Sequence, residues 1–168
     1  MIKLAELTDA LVDTLQRIAP LVAVLAPDEP IKGYTDVFPT VSAVEKALDQ
    51  IQPGQVVVMW VETTVETDTM SRWSHRVELC VKPLRDQRLF DVIDLIVQGV
   101  PVPGDGMCWR MCPVMPGVLP TNVINIVRRT DAEGVDYGVI LTETLETGDW
   151  FAPPTAAALY IAPQTLGG

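Results

Sequence analysis

The sequence predicts a protein of the α+β class, with a four-stranded, mainly antiparallel sheet and helices packed on one face. Two segments show the apolar spacing of amphipathic helices, and four others are alternating or β-branched, as strands are. They follow one another in the order helix, two strands, helix, two strands, which suits two packed layers. We expect one domain over residues 1–149 and an extended, almost uncharged C-terminal arm over 150–168.

The first helix is predicted over about 3–18, where leucines recur every three or four residues. Pro20 has no amide hydrogen, so the helix should end before it or kink there. Prolines and a glycine favour a loop over 26–39. A serine followed three residues later by a glutamate fits the start of a short helix over 40–50.

A long hairpin is predicted next. The segment 55–67 is mostly β-branched, and 72–82 alternates apolar and polar residues cleanly. The short polar stretch 68–71 suits the turn between them. Both strands are long, so the hairpin should project beyond the sheet.

The face of the sheet opposite the helices is expected to carry Trp60, Val56 and Val58. Helices that cover one face leave the other exposed, and an exposed apolar patch of this kind is typical of a surface that binds a partner.

The second half repeats the pattern. An amphipathic helix is predicted over about 85–98, with a glycine directly after it. A second hairpin follows, with strands over 122–129 and 137–145. Between this helix and the second hairpin, the segment 100–120 is rich in proline, glycine and methionine, and a loop of this length usually has a function.

Charge disfavours a nucleic-acid reader. The chain has 12 Lys and Arg residues against 22 Asp and Glu residues, a net charge of −10, whereas binding to a phosphate backbone needs clustered cations. Arg72 and Arg76 with Trp73 between them keep a single-strand nucleic-acid binder open as an alternative, which a steep salt dependence would reveal.

We expect no membrane span and a cytosolic origin. The N-terminal residues lack the apolar stretch of a secretory signal, and no segment reaches the about 20 apolar residues that a membrane helix requires. Three cysteines form too sparse and odd a set for a disulfide framework.

Candidate catalytic groups are few, and we predict no catalytic residue, cofactor or metal. His75 is the single histidine, and on an alternating strand Cys80 lies on the opposite face from it. Cys108 and Cys112 lack the further ligands that a zinc site needs. A small hydrolase that uses His75 with Cys80 or Cys108 remains the alternative from a different functional class.

Protein interfaces explain the composition better. The chain is 48% hydrophobic, which is more apolar material than one small domain needs, and tryptophan and arginine are enriched at interface hot spots. The predicted interface residues are Trp60, Trp73 and Arg76 on the first hairpin, Met107, Trp109 and Arg110 in the loop, and Trp150 and Phe151 in the arm.

This arrangement resembles the tail terminator (tail completion) and neck proteins of long-tailed bacteriophages. The resemblance extends to about Trp150. The segments that carry it are the helix 4–18, the strand 56–61, the stretch 73–79, the helix 89–97 followed by Pro101, and the stretch 129–134 that enters the last strand.

The resemblance implies a non-enzymatic virion protein, assembled in the host cytoplasm. It implies a homo-oligomeric ring, usually of six copies, that caps the tail tube and docks it to the head connector. DNA would pass through an acidic lumen without specific binding, because like charges repel. A head-closure or tail-tube subunit of the same machine is the nearest alternative.

Overall fold

The computed structural model of the chain describes residues 1–34, 51–66, 72–99 and 112–147. Within these ranges the fold is α+β, as predicted, with a five-stranded mixed sheet and three helices packed against it. The elements are α1 Leu4–Gln16, α2 Ala19–Val22, β1 Ile31–Tyr34, β2 Gln55–Glu66, β3 Arg72–Lys82, α3 Leu89–Gln98, β4 Asn122–Thr130 and β5 Asp136–Leu145.

The strand order is β1-β2-β3-β5-β4. Three neighbouring pairs are antiparallel, and β1 pairs in parallel with β2. The sheet therefore has one strand more than the predicted four, because β1 lies where a loop was expected. β1 is short and is flanked by Pro30, with Gly33 in its interior, so its sequence carries turn residues. The strand forms because it pairs with the long β2, and the local sequence of β1 does not indicate this pairing.

The ends of the helices follow the predicted stop signals. α1 ends before Arg17, and Pro20 lies in the first turn of α2, where its missing amide hydrogen costs nothing. α3 begins at Leu89, four residues later than predicted, and ends at Gly99, which has a left-handed φ of 55°. The amide of Gly99 donates to the Leu95 carbonyl at 3.1 Å and completes the cap.

The main core lies between the helices and one face of the sheet. Leu7, Leu11 and Leu15 of α1 are each 1% exposed and pack in one cluster with Val56 and Val58 of β2, which are fully buried. Burying one such side chain stabilises the fold by about 1.5–3 kcal/mol relative to exposure. The expectation that Val56, Val58 and Trp60 face away from the helices is therefore wrong, since Trp60 alternates onto the same face and pairs with Val77 of this core. Both faces of β2 are apolar, so alternation alone could not tell which one the helices cover.

A smaller apolar cluster lies on the opposite face of the sheet. It is formed by Ile51, Val57, Met59, Cys80, Tyr137 and Val139, with Tyr34 against it. All six residues of the cluster are buried. The face opposite the helices is thus partly an interior, and its exposed apolar surface is smaller than the sequence led us to expect.

The predicted helix over 40–50, the turn over 68–71, most of the loop 100–120 and the arm 150–168 lie outside the described residues. No helix in the described ranges is long and apolar enough to cross a membrane.

Candidate functional site

A β-bulge separates Trp60 from the far half of the first hairpin. Trp60 pairs with Val77, whereas Glu62 already pairs with Arg76, so β2 contains one extra residue at this point. The extra residue shifts the alternation of β2, so that Thr63 lies on the helix-side face, opposite His75. The bulge therefore determines which side chains meet at this end of the sheet.

Two of the predicted interface residues lie on one face of this hairpin. Trp60 and Trp73 are both half-buried on the helix side, and the Trp73 carbonyl accepts a hydrogen bond from the Glu146 amide at 2.9 Å. Arg76 lies on the other face, where its guanidinium pairs with Glu62 at 2.7 Å. Both charged side chains of that pair are at least 40% exposed, so it contributes at most about 1 kcal/mol.

The remaining predicted interface residues lie outside the described part of the chain. They are Met107, Trp109 and Arg110 of the loop, and Trp150 and Phe151 of the arm. Their role in an interface stays a prediction.

A chain of hydrogen-bonded side chains, here called the polar cluster, runs from the half-buried Trp60 towards the N-terminus. Trp60 Nε1 donates to Thr63 Oγ1 at 2.9 Å, and Thr63 Oγ1 lies 2.8 Å from His75 Nδ1. His75 Nε2 lies 3.0 Å from Glu146 Oε1, which also accepts the Ile2 amide. Glu146 Oε1 acts as an acceptor here, so the hydrogen is assigned to Nε2, and Nδ1 accepts from the Thr63 hydroxyl.

The polar cluster is closed to solvent at its His75–Glu146 end. His75 is fully buried, and the Glu146 side chain is 3% exposed. Buried polar groups of this kind are costly unless each has a partner, and every member of the cluster has one. Its role is therefore to lock the N-terminus, β2, β3 and the end of β5 together.

The geometry separates His75 from Cys80. The two residues lie on opposite faces of β3, with Cys80 in the smaller apolar cluster. Burial first, and the nearby Glu78 carboxylate second, raise the pKa of the Cys80 thiol to about 12. A thiol is nucleophilic only as the thiolate, so these two residues do not form a catalytic pair. Cys108 lies outside the described residues.

β4 is exposed along almost its whole length, which the sequence did not indicate. Among the described residues it pairs with β5 on one side, and its other side forms an edge of the sheet. Ile124 and Ile126 are each 45% exposed and Val127 is 38% exposed. An edge strand presents unpaired backbone groups, and an apolar one is a template for pairing with another chain.

An ion pair is buried at the opposite end of the sheet. Lys82 Nζ donates to Asp131 Oδ2, and both side chains are buried. Asp131 Oδ1 accepts the amides of Glu133 and Val135, each at 2.9 Å. The hydrogen bond from Lys82, followed by that from the Val135 amide, lowers the pKa of Asp131.

This ion pair predicts a pH dependence of stability. A lowered carboxyl pKa stabilises the folded state above the unfolded value of about 3.9 and loses that contribution as pH falls through the folded value. Asp131→Asn should therefore be less stable than the natural protein at pH 7, and should lose less stability between about pH 5 and pH 2. Urea unfolding at several pH values measures this. Asp136→Asn, at an exposed neighbouring residue, is the control. The prediction would be contradicted if the free energy of unfolding fell by the same amount below about pH 5 in the natural protein and in Asp131→Asn.

A cleft of about 530 Å³ opens beside this ion pair. Its charged lining consists of Lys82, Arg85 and Arg128 on one hand and Glu133 and Asp136 on the other, and Lys82 is already paired with Asp131. The lining carries both signs of charge, so the cleft does not define a ligand. Within the described ranges, no group of three or more His, Cys, Asp or Glu side chains is placed to hold a metal ion.

Comparison with protein-family models gives no match, and no curated protein matches the chain significantly.

Proposed function

We propose that this protein is a structural subunit of a long-tailed bacteriophage particle, with tail termination as its role. Copies of the chain would close into a ring, expected to contain six, that caps the tail tube and joins it to the head connector. The observation that carries this proposal is β4, a strand of nine residues at the edge of the sheet within the described ranges, on which Ile124, Ile126 and Val127 are exposed.

The edge strand supports assembly because, in a lone subunit, its apolar side chains and unpaired backbone groups would stay exposed to water. Natural proteins protect exposed edges with charges, prolines or short strands, yet Ile124 and Ile126 remain almost half exposed. A sheet with such an edge at one end suits head-to-tail contacts, which close into rings when the rotation between subunits permits. Trp60, Trp73 and Arg76 supply further candidate contacts on the first hairpin.

Charge supports a passage for DNA without binding. With a net charge of −10, a ring of six copies would repel a DNA backbone from its lumen. The arginines of the second hairpin, Arg128 and Arg129, are too few to outweigh this balance.

The rival hydrolase loses support from the site. A dyad of His75 and Cys80 would require the two side chains to meet, whereas they lie on opposite faces of β3. His75 is also fully buried in the polar cluster, so a substrate could not reach its ring.

The size of the purified protein tests this proposal. Native mass spectrometry should give a closed assembly of about 110 kDa, six copies of the 18.4 kDa chain. Electron microscopy should show single rings with a central opening. Stacked rings of indefinite length would favour a tail-tube subunit, and a monomer at every concentration would contradict the proposal.

A matched pair of variants tests the observation on which the proposal rests. Ile126→Lys places a charge on the apolar edge and should shift the protein from rings to monomers. Val22→Lys makes the same change on α2, where Val22 is 38% exposed, and should leave the rings intact. Rings that survive Ile126→Lys would show that β4 is not the contact.

A further inference from the structure

The outer edge of β4, which is its side away from β5, has backbone groups oriented to pair with one more strand. The turn that joins β4 to β5 sets the alternation of its hydrogen bonds: the Asp131 amide donates to the Val135 carbonyl at 2.9 Å, and Gly134 donates to the Asp131 carbonyl at 3.0 Å. Bonded and non-bonded pairs alternate in an antiparallel ladder. Counting back from Asp131, the amides of Ile126 and Arg128 therefore point away from β5, towards the side of β4 on which no other described strand lies.

The chain itself contains a segment of matching length and chemistry. Residues 155–162, Thr-Ala-Ala-Ala-Leu-Tyr-Ile-Ala, are eight uncharged residues without proline, bounded by Pro154 and Pro163. As a strand they would extend about 26 Å, close to the length of the nine-residue β4. Leu159, Tyr160 and Ile161 supply apolar side chains for both faces of such a strand, beside Ile126 on one face of β4 and Val127 on the other.

The structure favours a second copy as the source of that segment. Residues 117–119 continue the line of β4 beside the end of β5: Val118 bridges to Glu146, and the Thr147 amide donates to the Gly117 carbonyl at 2.9 Å. The chain that leaves Thr147 is thus separated from the outer edge of β4 by its own earlier residues. A segment from another copy meets no such barrier and can approach antiparallel, the more stable pairing.

We propose that residues 155–162 of a second copy of this chain add to the outer edge of β4 as a sixth strand. The contact is head-to-tail, because β4 of one copy meets a different surface of the next. The inference rests on the proposed function, since it names the contact that would link neighbouring subunits of the ring.

Site-specific photocrosslinking of the full chain tests this inference. The photoreactive amino acid p-benzoylphenylalanine replaces Ile126, whose side chain is 45% exposed on the edge. Irradiation should give a covalent dimer on a denaturing gel, and mass spectrometry should place the crosslink within 155–162. The same amino acid at Val22 is the control and should give no crosslink to that segment.

Each other outcome overturns a defined part of the inference. A crosslink to 155–162 within one chain, which leaves a monomer on the gel, would overturn the second copy as the source. A covalent dimer crosslinked outside 155–162, or the absence of any crosslink, would overturn the assignment of 155–162 as the added strand. In both cases the native mass decides separately whether the proposed ring exists, so failure of the contact and failure of the function are distinguishable.

A proline scan of the tail gives a second measurement in the full chain. Leu159→Pro interrupts the proposed strand and should lower the yield of the Ile126 crosslink about tenfold, because proline cannot donate to a ladder. Thr165→Pro lies in the same tail but outside 155–162, and should leave the yield unchanged. Equal yields from the two variants would contradict the proposed pairing.

Discussion

Replacing His75 by alanine should lower the free energy of unfolding by about 3 kcal/mol, which is in the upper range for single substitutions. The imidazole of His75, which is fully buried, bridges Thr63 at 2.8 Å and Glu146 at 3.0 Å. Without it, both groups lose a partner and a cavity opens between β2 and β5. In a chain of this length, the loss should also reduce the Tm by roughly 6–12 °C.

Urea unfolding of His75→Ala beside Glu62→Gln measures this effect. Glu62 forms a half-exposed ion pair with Arg76 on the other face of the same hairpin, so its loss should change stability by less than about 1 kcal/mol. A His75→Ala variant as stable as Glu62→Gln would show that the polar cluster contributes little to the fold.

Replacing Gly54 by alanine should cost about 3 kcal/mol, from backbone strain and steric overlap together. Gly54 has a φ of +82°, and an added Cβ would lie 2.8 Å from both the backbone nitrogen of Ala26 and Cδ2 of Leu84. Gly54 is held there by two backbone hydrogen bonds, to the Lys82 carbonyl at 2.7 Å and from the Ala26 amide at 3.0 Å. The main chain therefore cannot move aside.

Gly134 provides a matched control for this substitution. Its φ of +81° is nearly the same, but no atom lies within 4 Å of an added Cβ. Gly134→Ala should therefore cost only the conformational strain, about 1 kcal/mol. Thermal unfolding of the two variants separates strain from overlap, and equal losses would contradict the close approach at Gly54.

The fold class could be predicted from the sequence because the long elements follow regular periods. The leucine spacing of α1 and the alternation of β3 survive in the structure with nearly the expected bounds. β1 could not be predicted, because four residues with an internal glycine have no strand period of their own. Its pairing with β2 depends on contacts across the sheet and not on its local sequence.

The inward position of Glu146 could have been predicted from the strand period at the end of β5. Ile140, Thr142, Thr144 and Glu146 alternate with the period of a strand, so a buried Ile140 places Glu146 on the inner face as well. The identity of its partner, His75, 71 residues away, could not be found from spacing. The exposure of β4 was equally hidden, because a run of β-branched residues looks the same in a central strand and at an edge.

The hydrogen bond from the Ile2 amide to Glu146 connects positions 144 apart in the sequence. Local hairpins can form early during folding, but a contact of this span closes a very large loop and is slow to reach. On a ribosome, the first helix of the nascent chain has to wait until the whole of β5 and Glu146 after it have been synthesised before its leading end can be secured. Completion of the native state therefore depends on a residue translated late, and chains truncated before Glu146 should leave their first residues unanchored.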